Sequence, residues 1–163
     1  AIRELIVIGE DSRVIVDDTT DFPYSDVVEI DLTRREGGCT GVLIAPNAVL
    51  TAAHCLYSSK AQTWMDVASI TPGRYRDRST TVAPFGTWKM SEMLVLDEFI
   101  NGNEKNYDVG VIIVQPRYES DDNGNCLTVL PGDVAGSMGL RPAESTNLTD
   151  IHITGYPAET TNG

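Results

Sequence analysis

An all-β fold is what this sequence predicts, and three observations carry that prediction. Short apolar runs rich in Val, Ile and Thr recur throughout the chain ahead of residue 116. Gly, Pro, Asn and Asp interrupt them at intervals too short for long helices. No long segment shows a helical period, and the best short one is residues 52–58. Strands at this spacing imply a sandwich or a barrel.

In chain order, residues 13–17 and 26–32 are the first two expected strands. Residues 40–45 and 48–51 follow, joined by Pro46-Asn47, a turn dipeptide that makes them a hairpin. The runs 64–70, 80–83, 93–97 and 108–115 complete about eight strands, enough to close one small barrel. Residues 116–125 (P-R-Y-E-S-D-D-N-G-N) are polar, acidic and turn-rich, and read as a linker between two units. Beyond it, 126–130 and 148–156 are the strand candidates. A sheet that small leaves apolar faces and unpaired edges in water, so the second unit needs strands from elsewhere. Residues 1–116 are therefore assigned to a first barrel, and 117–163 to the linker and the first strands of a second.

The composition suits a packed protein: of 163 residues, 41% are hydrophobic and 22% charged. Lys and Arg number 12 against 24 Asp and Glu, a net charge of -12. Such a surface repels phosphate backbones and anionic lipid, so no nucleic-acid or membrane partner is expected. No run of eighteen apolar residues exists to span a bilayer. No leader pattern opens the chain, so a signal peptide is expected to have been removed already. The cysteines are Cys39, Cys55 and Cys126, an odd count that leaves one thiol free or paired outside the chain.

The most informative segment is residues 38–55, G-C-T-G-V-L-I-A-P-N-A-V-L-T-A-A-H-C. Its hairpin brings Cys39 and Cys55 to a common base, where a disulfide could bridge them. A loop of this length is stabilised by about 3 kcal/mol in the chain-entropy account. The bridge would also fix the turn that carries His54. A general base needs its ring held within hydrogen-bond reach of its nucleophile, and a stapled turn does that. Taken alone, His54 reads as an ordinary core histidine and Asp108 as a strand-start residue. Their context changes both readings.

C-T-G-V-L-I and V-L-T-A-A-H-C resemble the histidine segment of the chymotrypsin/trypsin superfamily of serine proteases. N-Y-D-V-G-V-I-I-V, residues 106–114, resembles the strand that follows that family's catalytic aspartate. I-H-I-T-G-Y-P, residues 151–157, resembles the strand before the family's autolysis loop. The opening I-V-I-G-E-D-S-R (residues 6–13), the words L-I-A-P-N and T-G-Y-P, and the Tyr107-Asp108 pair resemble bacterial glutamyl endopeptidases most.

The resemblance implies a trypsin-like double six-stranded β-barrel, with the first barrel complete in this chain and the second incomplete. It implies a secreted serine endopeptidase with His54 as general base, Asp108 as its orienting carboxylate and a Cys39–Cys55 disulfide. No cofactor or metal is implied. The family's Gly-Asn/Asp-Ser-Gly nucleophile segment does not occur among these residues. Ser137, in G-S-M-G, precedes the I-T-G-Y-P segment and so stands in the wrong chain order; it reads as a turn residue. The expected partners are therefore a C-terminal polypeptide segment carrying the serine, bound here as a second chain after cleavage in the polar tail 158–163, and polypeptide substrates. Family members of this kind begin near Ile6, so residues 1–5 are expected to mark a precursor or an alternatively processed form.

The remaining features take plainer readings. Cys126 has two alternatives, a bond to the missing segment or a free buried thiol. His152 reads as a face residue of a strand. Residues 119–125 have the acidity of a calcium loop but fail its twelve-residue pattern, because the last position falls on Leu130. The sequon 147–149 bears only on a eukaryotic secretory pathway. The basic cluster 74–78 reads as a solvated loop. The competing function is a non-catalytic binding or structural protein that kept the fold and lost the nucleophile; retention of both His54 and Asp108 weighs against it.

Overall fold

The computed structural model describes residues 13–33, 38–77, 80–102, 106–140 and 151–157. The extension 1–5, the opening motif up to residue 12, the sequon and the tail 158–163 lie outside the described residues.

The described residues form twelve short strands: β1 (Val27–Leu32), β2 (Cys39–Ala45), β3 (Ala48–Thr51), β4 (Tyr57–Ser58), β5 (Thr63–Trp64), β6 (Val67–Pro72), β7 (Tyr75–Asp77), β8 (Thr80–Val82), β9 (Met90–Val95), β10 (Gly110–Val114), β11 (Arg117–Ser120) and β12 (Cys126–Val129). Two single-turn helices, α1 (Asp97–Ile100) and α2 (Pro131–Ala135), follow β9 and β12. The main sheet runs β6-β1-β2-β3-β10-β9, with every neighbouring pair antiparallel. At its ends, Ile70 of β6 and Trp88, two residues before β9, form an antiparallel bridge with N–H···O=C bonds of 3.0 and 2.9 Å. The six-stranded sheet therefore closes on itself, which removes its open edges there.

Period-two alternation explains why these residues form this barrel. In β1, Val28, Ile30 and Leu32 are buried while Glu29 and Asp31 stand on the outer face. In β10, Gly110, Ile112 and Val114 take the inward positions. Ile30, Leu43, Val49, Ile70 and Ile112 are fully buried at the centre. Each such side chain contributes about 1.5–3 kcal/mol relative to exposure.

Several expected elements differ. Residues 13–17 form no strand: Val14 and Ile15 are 87% and 86% exposed and lie against no sheet. Met65 and Asp66 break the expected 64–70 strand into β5 and β6. Residues 52–58 hold one 3-10 turn, Ala53–Cys55, before β4. Of the basic cluster 74–78, residues 75–77 are exposed as expected but form a strand instead of a loop, and residue 78 lies outside the described residues. Residues 75–77 pair with β8, and Arg74 bonds the carboxylates of Glu29 (2.5 Å) and Asp31 (2.9 Å).

The expected linker 116–125 is largely a hairpin, with β11 paired to β12 in register. Asp121 closes its tip by accepting the backbone N–H groups of Asn123 and Asn125 and the Asn125 amide, an Asx-type turn. The hairpin leans on the barrel at Trp88. The indole N–H donates to the Val129 carbonyl (3.2 Å), and the Arg117 guanidinium lies 4.3 Å from the ring centroid. Residues 151–157 lie in no strand. Among the described residues nothing pairs with them as a ladder, which is what an incomplete second barrel looks like.

One buried polar group stands out. Asp26, 0% exposed, closes the 3-10 turn Tyr24–Asp26 and lies against Gly136 just after α2. One carboxylate oxygen accepts the Ser25 hydroxyl (3.3 Å), and the other has no partner among the described residues. Burial pushes its pKa above the ordinary value, and the Ser25 bond offsets only part of that.

Candidate active site

His54 sits at the middle of the 3-10 turn Ala53–Cys55, directly after β3. The turn is closed by the Cys55 N–H on the Ala52 carbonyl (3.0 Å) and the Leu56 N–H on the Ala53 carbonyl (2.9 Å). The expected Cys39–Cys55 disulfide is present, with Cα atoms 6.1 Å apart, and ties the first residue of β2 to the last residue of the turn. Asp108 lies two residues before β10. Gly110 of β10 pairs with Thr51 of β3, so the register alone carries Asp108 alongside the residues that follow Thr51.

Gly110 is required by close approach. A Cβ there would lie 2.7 Å from Leu56 Cδ1 and 3.4 Å from Ala53 Cα. Its absence lets the histidine turn rest directly on β10. Beneath it, Ala53, Tyr57 and Phe99 form a small buried cluster against which Tyr107 packs. The packing roles of Gly110, Phe99 and Tyr107 are additions to what the sequence reading singled out, although D-V-G-V already carried the glycine.

Asp108 grips His54 twice. Its Oδ1 accepts the His54 backbone N–H at 2.9 Å, and its Oδ2 lies 2.7 Å from the ring Nδ1. A carboxylate can only accept, so Nδ1 carries a proton, and in the neutral ring it is Nε2 that holds the lone pair. Partial burial pushes the Asp108 pKa upward. The bonds from the His54 ring and backbone, the charge of His54 and the Ala53 backbone N–H outweigh it, and the carboxyl is held below its ordinary value. The imidazole side chain is 59% exposed and the carboxylate 36%, so the pair stands open at the surface.

The other candidates lie elsewhere. Ser137 is exposed just after α2, in no assigned turn, and no serine among the described residues bonds His54. His152 is exposed and in no strand. Cys126 is unpaired and exposed, which corrects the alternative of a buried thiol. Among the described residues no three His, Cys, Asp or Glu side chains group as metal ligands. No helix of the described residues is long and apolar enough to cross a membrane.

A histidine on the turn after a hairpin, gripped by a carboxylate that just precedes the adjacent strand of a six-stranded barrel, invites comparison with known proteins. The Trypsin family matches residues 15–163. The chain belongs to that family. A curated relative, glutamyl endopeptidase of Bacillus licheniformis, is 33% identical over 158 residues, covering 96% of this chain and 44% of the relative. Another, named extracellular metalloprotease, of Bacillus subtilis, is 31% identical over 163 residues, covering 96% of this chain and 46% of the relative. A solved Glu endopeptidase in complex with MPD superposes with a TM-score of 0.69 at 33% identity, covering 88% of this chain and 57% of that one. The chain thus spans about half the length of the relatives it matches. The trypsin-like all-β fold follows from these matches together with the closed barrel, and the second barrel is incomplete within the chain.

Proposed function

We propose that this chain is the N-terminal part of a secreted serine endopeptidase that hydrolyses peptide bonds with a Ser-His-Asp triad. The serine comes from polypeptide outside these 163 residues. The observation that supports this most is the double grip of Asp108 on His54, because it leaves Nε2 as the one basic ring nitrogen. In the reaction, Nε2 takes the proton of the serine hydroxyl as its oxygen attacks the peptide carbonyl carbon. It then returns that proton to the amine that leaves. Asp108 holds the tautomer and stabilises the imidazolium formed between the two steps.

Preference for cleavage after glutamate rests on the likeness to glutamyl endopeptidases, carried by L-I-A-P-N and T-G-Y-P. Secretion rests on the Cys39–Cys55 disulfide, a bond suited to oxidising compartments.

The test is fluorophosphonate labelling beside a peptidase assay on glutamyl peptides, run on the whole protein with and without a metal chelator. The expected result is a label on a serine outside this chain, chelator-resistant hydrolysis, and no measurable turnover for His54→Ala. Chelator-sensitive hydrolysis without label would instead place this protein with metal-dependent peptidases. Neither label nor hydrolysis in the fully processed protein would make it a non-catalytic binder.

A further inference from the structure

We propose that Thr40, on β2, is a positioning residue that couples the 151–157 segment to the turn carrying His54. The proposal rests on the serine-protease reading and adds to it a device for alignment.

Thr40 uses both of its oxygens. Its hydroxyl oxygen accepts the backbone N–H of Tyr156 at 2.8 Å, a contact spanning 116 residues of sequence. Its carbonyl oxygen accepts the hydroxyl of Thr51 at 2.9 Å. Thr51 is 8% exposed and ends β3, three residues before His54. It is also the register partner of Gly110, two residues after Asp108. One residue of β2 therefore holds the distant segment on its side chain and the end of the histidine strand on its backbone. Its neighbour Cys39 is fixed to Cys55, on the far side of His54 in sequence, by the disulfide.

The 151–157 side of this contact is built for close approach. A Cβ on Gly155 would lie 2.9 Å from Thr40 Oγ1 and 3.2 Å from its Cγ2, so a larger residue would push the segment off β2. The Tyr156 phenol adds a second attachment by donating to the Val27 carbonyl of β1 at 3.3 Å. Burial, and then the nearby Glu29 charge, push that phenol's pKa well above its ordinary value, so it stays a neutral donor. The polypeptide beyond Pro157 thus departs from a point tied through Thr40 to the His54–Asp108 pair. A catalytic hydroxyl must meet Nε2 within hydrogen-bond reach, and a displacement of about 1 Å can lower turnover about 10²-fold.

The variants are Thr40→Val, which removes the side-chain acceptor but keeps shape and carbonyl, Thr40→Ser, which keeps the oxygen, and Tyr156→Phe. The first readout is proton NMR of the 163-residue chain, following exchange of the His54 Nδ1 proton shared with Asp108. Exchange about tenfold faster in Thr40→Val, restored by Thr40→Ser and shifted less by Tyr156→Phe, is the expected result. The second readout is peptidase kinetics of the whole protein, where kcat falls about tenfold for Thr40→Val at little change in KM. A folded Thr40→Val with wild-type exchange overturns the proposal, as does Thr40→Ser behaving like Thr40→Val. If Thr40→Val does not fold, wild-type exchange in Tyr156→Phe overturns it instead. A wild-type protein without peptidase activity would sink the protease reading, while the NMR experiment still decides the coupling.

Discussion

The barrel β1–β3, β6, β9 and β10 and the stretch from β11 onward use similar residue types and end up in opposite states. In the barrel, alternation feeds Val28, Ile30, Val49 and Ile112 into one closed interior. Past Pro116, Tyr118 is 67% exposed, Leu127 46%, Leu140 64% and Ile153 94%. The first region supplies nearly all of the shared core; the second adds Ala135 and the partly buried Val129 to it, and otherwise attaches through scattered contacts such as Trp88 to Val129 and Tyr156 to Thr40. The difference teaches that strand-like sequence folds as a strand only where neighbours supply the other half of the ladder. It also places the His54–Asp108 pair on the self-sufficient side.

The sharpest way to break that comparison is at the pair itself. Asp108→Asn keeps the shape but lets the ring choose the wrong tautomer, and on the serine-protease reading turnover should fall by about 10⁴, the loss known for Ser-His-Asp triads. The same variant has a signature in stability. The folded-state pKa of Asp108 lies below its ordinary 3.8, so its ionised form contributes stability that is present above that value and lost as pH falls through the folded pKa. Urea midpoints of wild type and variant should therefore differ at neutral pH and converge in acid. A constant gap across pH would refute the linkage.

Next in size is a matched pair of truncations. Ile112→Ala, in the closed interior, should lower unfolding free energy by about 2–5 kcal/mol. The exposed Ile153→Ala should change it by about 0.5 kcal/mol or less. Equal effects in denaturant titrations would erase the distinction between the two regions.

Smaller again is Asp26→Asn. A carboxyl whose folded pKa is raised favours the folded state fully below its ordinary 3.8, and that advantage is lost as pH rises through the folded value. At pH 7 the variant should be more stable than wild type by about 1 kcal/mol, with the gap closing below pH 3.8. Destabilisation at pH 7 would mean that the charge has a partner in solution.

The barrel and the pair were legible because their signals are local. Alternation in Val27–Leu32 and Gly110–Val114 reports the buried face directly, and T-A-A-H-C sits at a fixed distance from Cys39. What sequence reading missed depends on partners far away. The β11–β12 hairpin looked like a linker because its tip is all turn residues, yet the Asp121 carboxylate turns that polarity into structure. Arg74 looked solvated because nothing local says that Glu29 and Asp31 face it across the sheet. Residues 151–153 carry a strand's apolar alternation, but no neighbouring strand among the described residues accepts it.

The Ile70–Trp88 junction has a consequence for breathing motions. Two hydrogen bonds pin the last stave of the cask to the first, and the indole at that pin also holds the outer hairpin through Val129. Opening the seam therefore loosens the hairpin in the same event. Amide protons at Ile70, Trp88 and the hairpin should then report one shared opening, as a drawbridge and its chain move together.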